Sequence, residues 1–190
     1  MLRRRIVFDI ESDGLLEDVT RMWVLVTKDL DTDEIKVFTE GDLGWQDYLY
    51  NATLIAGQNI ISYDLNVLKK LFNWVPRPET KIHDTLLFSQ MMNFRRFGFK
   101  GHGLAQWGYA MKDFKGEFND WSKLSPEMIE YCIQDVNLSV KVYKYLANEF
   151  SKAVAKAPLL LPSMRNEHTA AKFMAEAERI GWLFDRVWLS

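Results

Sequence analysis

Strand and helix signals alternate through the first half of this 190-residue chain and helix signals fill the second, and that order restricts the folds open to it. Residues 4–10 read as a strand, and 23–29 with 34–38 as a hairpin turning at Asp31-Thr32-Asp33. Short helices over 43–50 and 63–72 flank a buried strand at 53–56, and Leu65, Leu68, Leu71 and Phe72 share one side of the second helix. The Trp74, Pro76 and Pro78 turn leads to one more strand at 81–83 and a helix over 84–92. Only helices follow. One covers 102–109, and a long one runs from Ser125 to about residue 148, with a serine cap, Pro126 at the first helical position and Glu127 at the positive helix start. This order predicts an α/β fold, a mixed sheet with helices on both faces.

Hydrophobic residues at 48% and charged residues at 26% give a globular composition and exclude disorder. No run approaches the roughly 20 apolar residues of a membrane span, so no membrane partner is expected. Arg3-Arg4-Arg5 leads straight into the first strand and is unlike a signal peptide. The single cysteine, Cys132, excludes an internal disulfide framework and a cysteine-based zinc cluster, and it fits an intracellular, cytoplasmic protein. His83, His102 and His168 lack the spacing of a transition-metal site. With 24 basic against 26 acidic residues, nucleic acid would have to be met through a local patch or bound cations.

Composition changes after residue 150. Residues 151–157 are small and basic, 158–162 are apolar between two prolines, and 165–180 form a fresh amphipathic helix. This divides the chain into a main domain at 1–150, a linker at 151–164 and a different element at 165–190.

Three acidic signals carry the chemistry. In Asp9-Ile10-Glu11 the two-residue period of a strand sends both carboxylates to one side. Their mutual repulsion is relieved by a divalent cation, and Mg²⁺ favours carboxylate, water and phosphate oxygens. Asp64 starts a helix after a buried strand, where it could equally serve as a cap. Tyr131 and Asp135 stand four apart on the long helix and share a face. Each signal alone has a plain alternative as a solvated end or face. Four carboxylates in this order, with a tyrosine one turn before the last, match two-metal phosphodiester hydrolysis.

Phe8-Asp9-Ile10-Glu11, Asn59 with Tyr63-Asp64, and Tyr131 with Asp135 resemble the three motifs of the DEDD exonuclease superfamily, tyrosine subclass; the histidine subclass would need a histidine where Glu130 stands. The stretches 82–89, 101–109 and 115–118 are similar to the 3′→5′ proofreading domain of bacteriophage family A DNA polymerases, over about residues 4–150. Glu167-His168-Thr169-Ala170-Ala171, Glu178-Arg179-Ile180-Gly181 and Leu183-Phe184-Asp185 resemble the segment where those polymerases enter their polymerase domain. The resemblance implies an RNase H-like fold and a cut or separately encoded piece that does not synthesise DNA, in the host cytoplasm if phage-encoded.

It also implies residue roles. Asp9, Glu11 and Asp135 hold a first Mg²⁺, with Mn²⁺ as its substitute, and Asp9 bridges to a second ion at the scissile phosphate. Asp64 acts through an intervening water, and Tyr131 orients the attacking water. Leu15 falls where the family wedges the terminal base, and Asn59 where it contacts the terminal nucleotide. The 93–104 loop carries Arg95, Arg96 and Lys100, no acid, and Phe94, Phe97 and Phe99. Cations for phosphates and rings for stacking suit single-stranded DNA, while the phenylalanines could equally anchor the loop to the core. His102 is a candidate phosphate contact. The expected function is metal-dependent 3′→5′ removal of nucleotides from single-stranded or frayed DNA primer ends, with a separate or removed polymerase domain as partner. An RNase D-type RNA exonuclease and a non-catalytic DNA-binding module are the rivals.

Overall fold

The computed structural model describes residues 4–114, 116 and 118–181. Arg3, Leu183, Phe184 and Asp185, named above, and Lys115 and Glu117 within the 115–118 stretch, lie outside them. Five strands, β1 (Arg4–Ser12), β2 (Met22–Asp29), β3 (Ile35–Thr39), β4 (Ala52–Gly57) and β5 (Lys81–Asp84), form one sheet in the order β3-β2-β1-β4-β5. β1 runs antiparallel to β2, and β2 to β3, while β1, β4 and β5 are parallel. The mixed sheet follows from the chain. A tight hairpin can join only antiparallel neighbours, and the parallel strands are joined through helices.

Alternation along β1 sorts its side chains. Ile6, Phe8 and Ile10 enter a core with Trp45, Leu49, Val67 and Leu68 from α1 (Gly44–Tyr50) and α2 (Asp64–Phe72). Val7 enters a second core on the opposite face, against Met128, Cys132, Val136 and Val140 of α5 (Pro126–Lys156). Asp9 and Glu11 continue the Val7 side and therefore face α5. β1 runs on past Ile10, so Asp9 and Glu11 lie inside the strand, paired with Val26 and Val24 of β2.

The Ser125 hydroxyl caps α5 by accepting from Met128 N–H, and Pro126 fills the first turn. At its other end α5 runs beyond residue 148 to Lys156, because the small residues of 151–156 are good helix formers. α6 (Leu160–Ile180) also begins earlier than its amphipathic pattern, with Pro162 in a first turn whose N–H groups have no intrahelical acceptor. The segment read as a linker is thus mostly helical. A third core joins Phe88 of α3 (Thr85–Met92), Leu104 and Trp107 of α4 (Leu104–Met111), Leu138 and Val142 of α5, and Met164 of α6. None of the helices, among the described residues, is long and apolar enough to cross a membrane.

β1 and β4 approach closely where β4 ends. A Cβ on Gly57 would press into Ile60 and come within 2.7 Å of the Phe8 carbonyl oxygen. Backbone cannot give way as a flexible side chain can. Gly57→Ala is expected to cost about 3 kcal/mol, read as a lower urea midpoint at unchanged slope.

Buried His168, with half-buried His83 beside it, fastens α6. His168 Nε2 accepts from Asp84 N–H at 3.0 Å while Nδ1 donates to the Met164 carbonyl, so the ring is neutral. His83 packs 6.3 Å from it and bonds the Tyr143 hydroxyl through Nδ1. Burial, then the neighbouring His168 and Lys81, lowers the His83 imidazole to about 4. Unfolded, that ring titrates near 6.5, so the stability it contributes is complete above pH 6.5 and is lost as the pH falls towards 4. The loss amounts to about 3 kcal/mol. Urea unfolding at pH 7 and pH 4 should show an acid loss smaller by about that amount in His83→Asn.

Candidate active site

The sheet brings the three acidic signals together. Asp9 is half-buried and Glu11, Asp64 and Asp135 are buried. Cys132 lies among them on α5, and burial, then the charges of Asp9, Glu11, Asp135 and Asp64, pushes its thiol well up. The donor atoms of Asp9, Glu11 and Cys132 lie within 4.8 Å of one another. Tyr131, one turn before Asp135, is half-buried, and its ring packs 5.6 Å from that of Phe118.

Asp64 enters from the sheet's edge at the first turn of α2. Burial, then the charges of Asp84 and Glu11, pushes its carboxyl up to about 8, while the N–H groups of Asp64 and Ile10 act the other way. Its Oδ1 is buried with no hydrogen-bond partner. A buried acceptor without a donor is costly, and so is a carboxylate crowded by others. A divalent cation relieves both, so these residues fit the hard, oxygen-loving ion that their order suggested.

Asp84 shapes the approach to Asp64. It is 2% exposed and accepts from Asn59, Ile61 and Leu86 N–H groups at 3.0, 3.1 and 2.9 Å. This holds Asn59 in the left-handed region at φ 59°, a conformation asparagine tolerates. Asn59 therefore stands half-buried at the turn between β4 and α2, held to Asp84.

A cleft of about 400 Å³ opens next to Glu11, lined by Ser12, Asp13, Gly14, Leu15, Tyr63 and Trp121. Leu15 is 77% exposed, which is a poor position for plain packing and a good one for meeting a base. The Tyr63 hydroxyl donates to the Gly14 carbonyl at 2.6 Å and fixes the turn that presents Leu15. Trp121 forms the other wall. Its Nε1–H donates to Glu11 Oε2 at 3.1 Å, and its carbonyl accepts from Trp23 Nε1–H at 2.9 Å. Gln134 donates to the Phe114 carbonyl at 2.7 Å and holds the segment leading to Trp121 across α5. Sequence reasoning quoted Tyr63 in a motif without giving it a role, and missed Trp121, Asp84 and Cys132 as parts of the site. The one available signal was Asp84 at a strand-to-helix junction.

The 93–104 loop divides in two. His102 is 7% exposed and both its ring nitrogens are engaged: Nε2–H donates to the Phe94 carbonyl at 2.9 Å and Nδ1 accepts from Ser89 at 2.6 Å. The phosphate role expected for His102 is thereby corrected: its ring holds the loop to α3. Arg96 is also corrected. It pairs with Glu149 at 2.6 Å, is 11% exposed, and packs between Trp107 and Tyr145. Phe97 packs edge-on against Trp107 at 5.1 Å. Arg95 and Lys100 remain exposed, beside Phe94 and Phe99 at 77% and 109% exposure.

No protein-family model matches the chain. The DNA-directed DNA polymerase of Escherichia phage T7 is 26% identical over 236 aligned residues, which cover 95% of this chain and 33% of the polymerase. The corresponding enzyme of Enterobacteria phage T3 is 27% identical over the same shares. The chain spans about a third of the length of these curated relatives. Among solved structures, Brucella melitensis NrnC bound to pGG superposes with a TM-score of 0.72 at 18% identity, covering 97% of this chain and 89% of that one. NrnC with bound Mg²⁺ gives 0.68 at 17%, covering 97% and 91%. The chain is a homologue of the phage DNA polymerases, and its five-stranded mixed sheet is the RNase H-like fold of the DEDD nucleases.

Proposed function

We propose that this protein is a Mg²⁺-dependent 3′→5′ exonuclease that removes nucleotides from single-stranded or frayed DNA ends and releases 5′-mononucleotides. The observation that carries the reading is the convergence of Asp9, Glu11, Asp64 and Asp135 around one point of α5, with Asp64 Oδ1 buried and unpartnered. A binding module has no use for so strained a cluster. Kinship with phage DNA polymerases favours DNA.

In this reading Asp9, Glu11 and Asp135 would hold a cation, Asp9 would also serve a second, and Asp64 would act through water. Bound Mg²⁺ supplies Lewis-acid stabilisation of the phosphodiester and an easily deprotonated water. The Tyr131 hydroxyl orients the attacking water as a neutral hydrogen-bonding group. Trp121 holds the Glu11 carboxylate in place. The terminal base enters the cleft against Leu15, next to Asn59, while Arg95, Lys100, Phe94 and Phe99 meet the strand further back. Residues 165–190 resemble in sequence the segment by which phage polymerases enter their polymerase domain.

A second reading, action on RNA or very short oligonucleotides, draws on the NrnC neighbour with pGG. A digest of 5′-labelled DNA and RNA strands, with and without Mg²⁺, separates the readings. Stepwise shortening of DNA from its 3′ end, only with Mg²⁺, is expected. Shortening of RNA alone would support the second reading, and binding without cleavage would reduce the protein to a DNA-binding module.

A further inference from the structure

Cys132 has a plain role as a small buried side chain among Val7, Val24 and Val136. Its sulfur, however, does not end in that core. It lies 3.7 Å from the Asp9 carbonyl oxygen and 3.8 Å from Asp9 Oδ2, and Glu11 completes a set of donor atoms all within 4.8 Å. The Asp64 carboxyl, 3% exposed and with an unpartnered Oδ1, adds its charge to the same point.

The sulfur–oxygen separation is that of a weak S–H···O contact, and it also suits a shared cation. A tetrahedral zinc ion with Zn–S of about 2.3 Å and Zn–O of about 2.1 Å places the two donors about 3.6 Å apart. Observed and required separations therefore agree to within a side-chain adjustment. Mg²⁺ has no affinity for sulfur and takes oxygens at about 2.0–2.1 Å in octahedral array, so it leaves the thiol protonated. A softer cation would recruit it.

We propose that Cys132 gives the carboxylate centre a soft donor, so that Asp9, Glu11 and Cys132 together bind a thiophilic divalent cation, Zn²⁺ or Co²⁺, in competition with Mg²⁺. The inference rests on the cation-dependent reading of these carboxylates and adds a ligand to it. On binding, the S–H bond breaks, its proton passes to the buffer, and the sulfur lone pair forms the bond to the cation with no change of oxidation state. Half-buried Asp9 gives the ion its way in from solvent.

Cobalt reports the bond directly. Titration of the full chain with Co²⁺ should produce a near-ultraviolet sulfur-to-cobalt charge-transfer band, which Zn²⁺ abolishes on displacing cobalt. The band should be absent in Cys132→Ser and in Cys132→Ala. Two variants are used because a buried hydroxyl could disturb folding where alanine does not, and circular dichroism identifies the folded one. Calorimetry should show the preference for Zn²⁺ over Mg²⁺ falling by about 10–100-fold in that variant, at the least the scale of losing a supporting interaction of a metal ligand. Co²⁺ binding to wild type without the band, or equal Zn²⁺ preference in wild type and Cys132→Ala, would overturn the proposal and leave Cys132 as a packing residue. The two readings fail separately. A cobalt band without nuclease activity keeps the thiol ligand and removes the exonuclease; Mg²⁺-dependent cleavage without the band does the reverse.

Discussion

Asp9→Ala is expected to abolish Mg²⁺-dependent cleavage, by more than about 10³-fold, the scale on which a preorganised charged site loses function with a central group. The fold should survive. Asp9 stands in β1 beside other carboxylates, and its loss relieves repulsion in the cation-free cluster. One contact it gives up is a long one from the Cys132 thiol, at 3.8 Å. Melting curves give a second readout. Mg²⁺ at about 100 times its dissociation constant adds about 2.7 kcal/mol to wild type, a rise of roughly 5–10 °C in Tm for a chain of this size. Asp9→Ala should melt no lower than wild type without Mg²⁺ and should gain little from adding it. Activity within about twofold of wild type would remove the cation assignment at its central residue.

The acidic centre was legible because strand and helix periods are properties of local sequence. The alternation Ile6, Phe8, Ile10 against Val7, Asp9, Glu11 places both acids towards α5, and the four-residue spacing of Tyr131 and Asp135 places both on one side of that helix. Contacts made across the fold were not legible. Trp121 reaches Glu11 over 110 positions of sequence, and Cys132 reaches Asp9 over 123. The 93–104 loop shows the same limit in composition. Its basic and aromatic residues were counted together, yet Arg96, Phe97 and His102 turn inward to Glu149, Trp107 and Ser89, while Arg95, Phe94, Phe99 and Lys100 stay outside. Composition sets what a loop can touch, and the partners presented by α3, α4 and α5 decide which side is buried. The end of α5 was misjudged for a local reason: small residues at 151–156 suit a linker and a helix alike, and their helix propensity carries α5 on to Lys156.

Tyr131 and Asp135 share a face of α5, yet their replacement should differ by orders of magnitude. Tyr131→Phe keeps the ring against Phe118, at 5.6 Å, and removes only the hydroxyl. Positioned proton-transfer groups contribute about 10²–10⁴-fold, and a neutral orienting hydroxyl belongs at or below the lower end, so turnover should fall roughly 10–100-fold with substrate affinity unchanged. Asp135→Ala removes a carboxylate that is 3% exposed from the cation-binding cluster, and its loss should approach that of Asp9→Ala. Single-turnover cleavage of a labelled DNA strand at saturating Mg²⁺ reads the chemical step, and strand binding in Ca²⁺ reads affinity. The expected order is wild type, then Tyr131→Phe, then Asp135→Ala far below, with Mg²⁺ stabilisation retained in Tyr131→Phe and lost in Asp135→Ala. Equal losses in the two variants, or a Tyr131→Phe defect confined to strand binding, would make the tyrosine a packing or stacking residue and leave the attacking water to be oriented by the carboxylates alone.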